Sequence, residues 1–145
     1  MRRRASEMER RVAAAQATLD RFRDRPFRWG SADCARMVAW HLRKMGYRPA
    51  LAKAGAYRTA LSARAALKRL GHDSLADALD ALGLVRIGAA SAIVGDVLAL
   101  PGDDPLGALV VAVGNGRVVG WHEDAAGAAV MQPLIYGAAW RVTPV

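Results

Sequence analysis

One cysteine and three histidines are the side chains of this 145-residue sequence best suited to covalent or proton-transfer chemistry. The cysteine, Cys34, lies in PFRWGSADCARMVAWHLRKMGY (26–47), where the turn Trp29-Gly30-Ser31 feeds a helix. With Ser31 as N-cap, Asp33 is the second helical residue and Cys34 the third. First-turn amides and the macrodipole favour negative charge there, which lowers a thiol's pKa and populates the thiolate. Asp33, if ionised, opposes that effect. Cys34 is therefore either a poised nucleophile or a small buried residue, and a nucleophile requires a base within hydrogen-bond reach.

Three histidines could supply that base. His41 is two turns along the same helix, on the order of 10 Å away by helical rise, and reads as a core histidine. His72 follows Gly71 between two helices and reads as a turn residue. His122 is the serious candidate, with Glu123 and Asp124 beside it, although an exposed loop after a strand accounts for the same residues. Asp96, in GDV, fits an architectural role, since a Gly-Asp at a strand start commonly bonds nearby amides. Asp103 and Asp104 in PGDDP read as a solvated turn, with too few oxygen ligands for calcium. Trp29 and Trp121 are placed to flank a cleft near Cys34, where an aromatic wall suits a ligand or partner peptide.

The elements that must position these residues are legible in outline. Ser6 and Glu9 fit a capping box, and Met8, Val12, Ala15, Leu19 and Phe22 follow at helical spacing, with arginines opposite. This helix stops before Pro26. A second helix is predicted over 31–45, closed by Gly46, with Cys34, Val38, His41, Leu42 and Met45 on its buried face. A loop over 47–57 leads to helices at 58–70 and 74–82, the latter opened by Ser74 and Asp77. Beyond Gly83 the chain changes to short valine-rich runs broken by Gly, Asp, Asn and Pro, which read as strands. VGNGRVV reads as a tight hairpin, because Asn-Gly favours the turn matched to strand twist. Helices first and antiparallel strands afterwards predict one α+β domain over 1–145, with a basic helix (1–25), a helical half (30–82) and a strand-rich half (84–142).

Composition narrows the function classes. The formal charge is +8, and residues 1–28 hold nine arginines against four acids. A solvated helix face accounts for that surplus, and the remaining chain has no basic stripe interleaved with aromatics, so nucleic-acid recognition is not favoured. A single cysteine excludes an internal disulfide, and no Cys/His spacing suggests zinc. No metal or cofactor is expected. MRRRASEMERRVAAA lacks the apolar core of a signal peptide. No apolar run approaches the roughly 18 residues that span a bilayer, so synthesis in the cytoplasm without a signal, and no membrane partner, are expected.

The ordered segments PFRWGSADCARMVAW, GDVLAL and ALVVAVGNGRVVG resemble the NlpC-type, papain-like cysteine peptidases that cut bacterial peptidoglycan peptides. They look most like a short, divergent branch found among bacteriophage and prophage tail genes, over roughly residues 18–142. The resemblance implies a papain-like fold with helices packed on a small antiparallel sheet, Cys34 at the nucleophile position, Gly30 and Asp96 as structural residues, and a cleft involving Trp29, Asp33 and Trp121. Aligned on Gly114-Asn115-Gly116, it places the general base at about Ala108 and the residue orienting that base near Gly120. Neither can serve. The resemblance therefore implies a tail-tip or tail-assembly component, reaching a phage-like particle and partnered by tail-hub proteins, whose hydrolase site has degenerated. The alternative it leaves is a peptidoglycan hydrolase using Cys34 with His122 or another base.

Overall fold

The computed structural model describes residues 5–122 and 125–145; Arg2–Arg4 of the basic start, and Glu123 and Asp124 beside His122, lie outside them. Four helices precede a six-stranded antiparallel sheet, so the chain is α+β. The helices are α1 (Glu7–Phe22), α2 (Cys34–Lys44), α3 (Ala60–Arg69) and α4 (Leu75–Ala81). A 3-10 turn at Ala50–Lys53 interrupts the expected 47–57 loop. The strands are β1 (Val85–Ile87), β2 (Val97–Ala99), β3 (Leu109–Gly114), β4 (Arg117–Gly120), β5 (Ala129–Met131) and β6 (Ala138–Arg141), in spatial order β1-β6-β2-β3-β4-β5. Asn115 and Gly116 both have positive φ, as the Asn-Gly hairpin between β3 and β4 requires.

Side chains alternate across the sheet. Val97, Leu109, Val111, Val119 and Trp140 face the helices in the main core. Leu98, Val110, Ala112, Val118 and Ala139 face the other way, into a smaller cluster with Ile87, Met131 and Tyr136. Helices α1 and α2 pack together and both lie on β3, which places the start of α2 near the start of that strand.

The buried face of α1 differs from the one its apolar spacing predicts. Met8 and Val12 are each half exposed, whereas Arg11 and Thr18 are buried with Ala14, Ala15 and Phe22. Two polar attachments turn the helix. Arg11 reaches the fully buried Asp96, Nη1 to Oδ1 at 3.0 Å, and also donates to the Val94 carbonyl. Thr18 Oγ1 lies 2.8 Å from His41 Nδ1 and 2.9 Å from the Ala14 carbonyl. A buried charge without its partner costs about 3–5 kcal/mol, against the roughly 1.5–3 kcal/mol that Met8 and Val12 together forgo by staying half exposed, so the ion pair sets the rotation.

His41 is a core histidine, with Nε2 2.8 Å from the Gly95 carbonyl. Burial holds its pKa below the usual imidazole value. The unfolded chain therefore takes up a proton that the folded one resists. The contribution to stability is whole above an unfolded pKa of about 6.5 and is lost as pH falls below it. Urea titrations at pH 7.5 and 5.5 are expected to show the midpoint dropping toward acid, with a shallower drop in His41→Gln. An equal drop in both proteins would remove His41 from the account.

Candidate functional site

Asp33, not Ser31, caps α2, and Cys34 is its first residue. This corrects the expected cap at Ser31: a long-range contact favours Asp33. The Asp33 carboxylate accepts from Arg36 N through Oδ1, and from Gly30 N and the Tyr57 hydroxyl through Oδ2, each at 2.8 Å. Only Asp33 reaches the cap amide and Tyr57 together, and it is 1 % exposed. Burial raises the pKa of Tyr57 above the ordinary phenol range, and the Asp33 charge adds to this, so the hydroxyl stays a donor. Gly30, at φ +86°, lies against the same segment, where a Cβ would sit 2.2 Å from the Tyr57 carbonyl oxygen. Gly30 and Asp33 thereby tie the turn before α2 to the chain before α3.

Cys34 lines a cavity of about 100 Å³ with Phe27, Trp29, Tyr57, Leu106 and Gly107. Its sulfur lies 4.0 Å from the Leu106 carbonyl oxygen and 3.9 Å from that of Gly107. Those oxygens receive a thiol hydrogen and repel a thiolate. The thiol pKa is pushed up to about 11, chiefly by burial and further by the Asp33 charge, against the lowering effect of nearby amides. Of the two readings that the sequence leaves open, this favours the small buried residue: the helix start is present, but desolvation outweighs it.

No histidine lines the cavity. His41 faces Thr18 and Gly95. His72 lies in the break between α3 and α4 and lines a neighbouring, almost wholly apolar cavity of about 180 Å³. His122 is exposed just beyond β4, where its carbonyl accepts from Ala125 N.

The two positions that the resemblance assigns to the base and its orienting partner fall on the other face of the sheet. Leu109 and Val111 face the helices, so Ala108 shares the outward parity of Val110 and Ala112; its carbonyl extends the ladder by accepting from Leu100 N. A Cβ on Gly120 would approach Val110 Cγ1 at 2.6 Å, likewise on the outer face. An offset of one residue exchanges the faces of a strand. The residues on the helix side are Leu109 and Trp121, and neither moves a proton.

Trp29 and Trp121 meet through an intermediary. Phe27 packs edge-on to Trp29 at 4.8 Å and to Trp121 at 5.9 Å, and the row continues through Phe22 to Trp40. Trp121 Nε1 donates to the Arg25 carbonyl, fixing the row to the end of α1. Trp29 lines the cavity itself, and Trp121 supports it from behind Phe27. The sequence contained no signal for Tyr57, and Phe27 stood in the PFRWGSADC segment without a role of its own, because both act through contacts made only after folding.

Asp96 lies at the other end of α2 and joins three parts of the chain. Besides Arg11, it accepts from Ile93 N and Val142 N at 2.9 Å and pairs with Arg141 at 3.5 Å. Among the described residues, no group of His, Cys, Asp and Glu could hold a metal ion, and no helix is long and apolar enough to cross a membrane. A search of curated proteins finds no match to the chain. One family profile matches residues 3–142, nearly the whole chain, and by that match the chain belongs to the DUF6950 family, a domain of unknown function.

Proposed function

We propose that the chain is a papain-like, NlpC-type domain that no longer hydrolyses and acts as a tail-tip or tail-assembly component of a phage or prophage particle, binding a tail-hub partner. The observation that carries the loss of activity is the cavity around Cys34. A protonated thiol faces two carbonyl oxygens there, with Leu109 on the strand position nearest to it and no imidazole in the lining. At about 100 Å³ the cavity is also smaller than the roughly 300–1,000 Å³ of ordinary ligand pockets. A stem peptide could not enter without opening it. The tail setting rests on the sequence resemblance.

A hydrolase reading keeps one feature in its favour, a cysteine at a helix start beside a sheet. Digestion of purified peptidoglycan by wild type, Cys34→Ala and His122→Ala separates the two. Equal, negligible release from all three is expected, and release by wild type that Cys34→Ala abolishes would overturn the proposal. Thiol chemistry gives an independent measure. The pKa lies about 2 units above that of a free thiol, so the thiolate is on the order of a hundredfold scarcer at neutral pH. Iodoacetamide at pH 7.4 is expected to label Cys34 about a hundredfold more slowly than free cysteine. Labelling as fast as free cysteine would show a thiol that burial does not suppress, and faster labelling an activated nucleophile.

A further inference from the structure

We propose that the cationic hollow between the end of α1 and the exposed face of α2 is a docking site for an acidic protein segment, recognised through its carboxylates. Arg36, Trp40 and Arg43 share one face of α2, and Arg21 reaches across from α1; with Ser31 they line a hollow of about 150 Å³ to which the described residues contribute no carboxylate. Lys44 adds a further cation, its Nζ 4.8 Å from the Trp40 ring centre. None of Arg21, Arg43 and Lys44 forms an ion pair with a described residue. The nearest acid in sequence, Asp20, accepts from Gln16.

Arg21 and Arg36 among these cations are also held in place. The guanidinium of Arg21 stacks 5.2 Å from the Trp40 ring centre and 5.8 Å from that of Phe22. Arg36 is pinned by the Gly55 and Leu51 carbonyls and lies over Tyr57. Ordered guanidinium forks match carboxylates with less loss of side-chain freedom than mobile ones do. Two observations favour carboxylates over a nucleic acid. The Trp40 ring is engaged by Arg21 and Lys44, leaving it poorly placed to stack on a base. The other aromatics in the row contact one another edge-on within the fold. The hollow lies at the opposite end of that row from the Cys34 cavity, so its use does not depend on whether Cys34 is catalytic.

Fluorescence anisotropy with a labelled hexaglutamate peptide tests this on the full chain, with an oligothymidylate of equal charge as the competing probe. Saturable binding of hexaglutamate that weakens with salt is expected. Arg21→Glu and Arg43→Glu should each weaken it about tenfold or more. Arg117→Glu, the same charge change on the distant β3–β4 hairpin, should cost less than about twofold, as an exposed charge outside the site. All three residues are exposed, and circular dichroism is to check that each variant is folded. Equal losses at Arg117 and Arg43 would reduce the effect to net charge and overturn the proposal. So would the absence of saturable binding at low salt, or tighter binding of oligothymidylate with the same dependence on Arg21 and Arg43.

Discussion

Asp96→Ala is expected to lower stability by about 3–5 kcal/mol, the range for leaving one member of a buried ion pair without its partner. Asp96 is fully buried and Arg11 is 1 % exposed, so solvent screens neither. The substitution leaves the buried guanidinium with only the Val94 carbonyl and the exposed Glu7 carboxylate at 3.4 Å, its Nη2 already having no acceptor among the described residues, and orphans the amides of Ile93 and Val142. For a domain of this length the loss corresponds to roughly 10–15 °C in the unfolding midpoint. Asp96→Asn keeps an acceptor for some of these donors and should fall between the two. Arg11→Met, which removes the cation and leaves a packed apolar chain, should cost less than Asp96→Ala. Calorimetry on the three variants checks the order, and Asp96→Ala within 1 kcal/mol of wild type would refute a structural role for the pair.

The second large effect is expected at Asp33. Asp33→Ala removes a helix cap, typically about 1 kcal/mol, and leaves the Gly30 amide and the Tyr57 hydroxyl without their acceptor, at about 1–3 kcal/mol for each buried group. A total of about 3 kcal/mol is expected, because neighbouring losses do not add fully. The consequence for the site is more specific than the loss of stability. With Tyr57 released and the negative charge gone, the Cys34 thiol gains solvent and loses one of the influences that raise its pKa. Iodoacetamide labelling of folded Asp33→Ala at pH 7.4 should therefore be faster than that of wild type, because added solvent and the lost negative charge both favour the thiolate. Unchanged labelling in a protein shown to be folded would mean that Asp33 does not control access to the thiol.

What the sequence disclosed follows from the range of each interaction. Ser6, Ser74 and the Asn115-Gly116 turn act within four residues, and each does what its type predicts: both serines accept from the amide three residues on. The valine-rich runs beyond Gly83 all became strands, since alternation and turn residues are local signals. Errors arose where a distant residue decided. Tyr57 moved the cap of α2 from Ser31 to Asp33. Asp96, 85 residues away, turned Arg11 inward and left Met8 and Val12 in solvent. The alignment on the hairpin put Ala108 and Gly120 in the cleft, and a one-residue difference in parity turns them to the outer face, with Leu109 and Trp121 on the helix side. Neither register places a histidine at these positions. Composition, by contrast, showed the excess of arginine but not that Arg21, Arg36 and Arg43 converge on one hollow, because only the packing of α1 on α2 brings them together.

The position of β6 has a consequence for how this protein comes into being. The last strand lies inside the sheet, between β1 and β2, and hydrogen-bonds to both. Until residues 138–141 have been synthesised, β1 has no neighbour and β2 presents an open edge, with Val97 and Leu98 ready to pair with any extended chain nearby. The contacts that close the sheet join residues 39 to 56 apart in sequence, and such long loops are slow to close. Early products of translation are thus exposed to aggregation that the finished domain escapes. Expression at low temperature or with a chaperone that shields strand edges should help the nascent chain far more than it helps the folded protein.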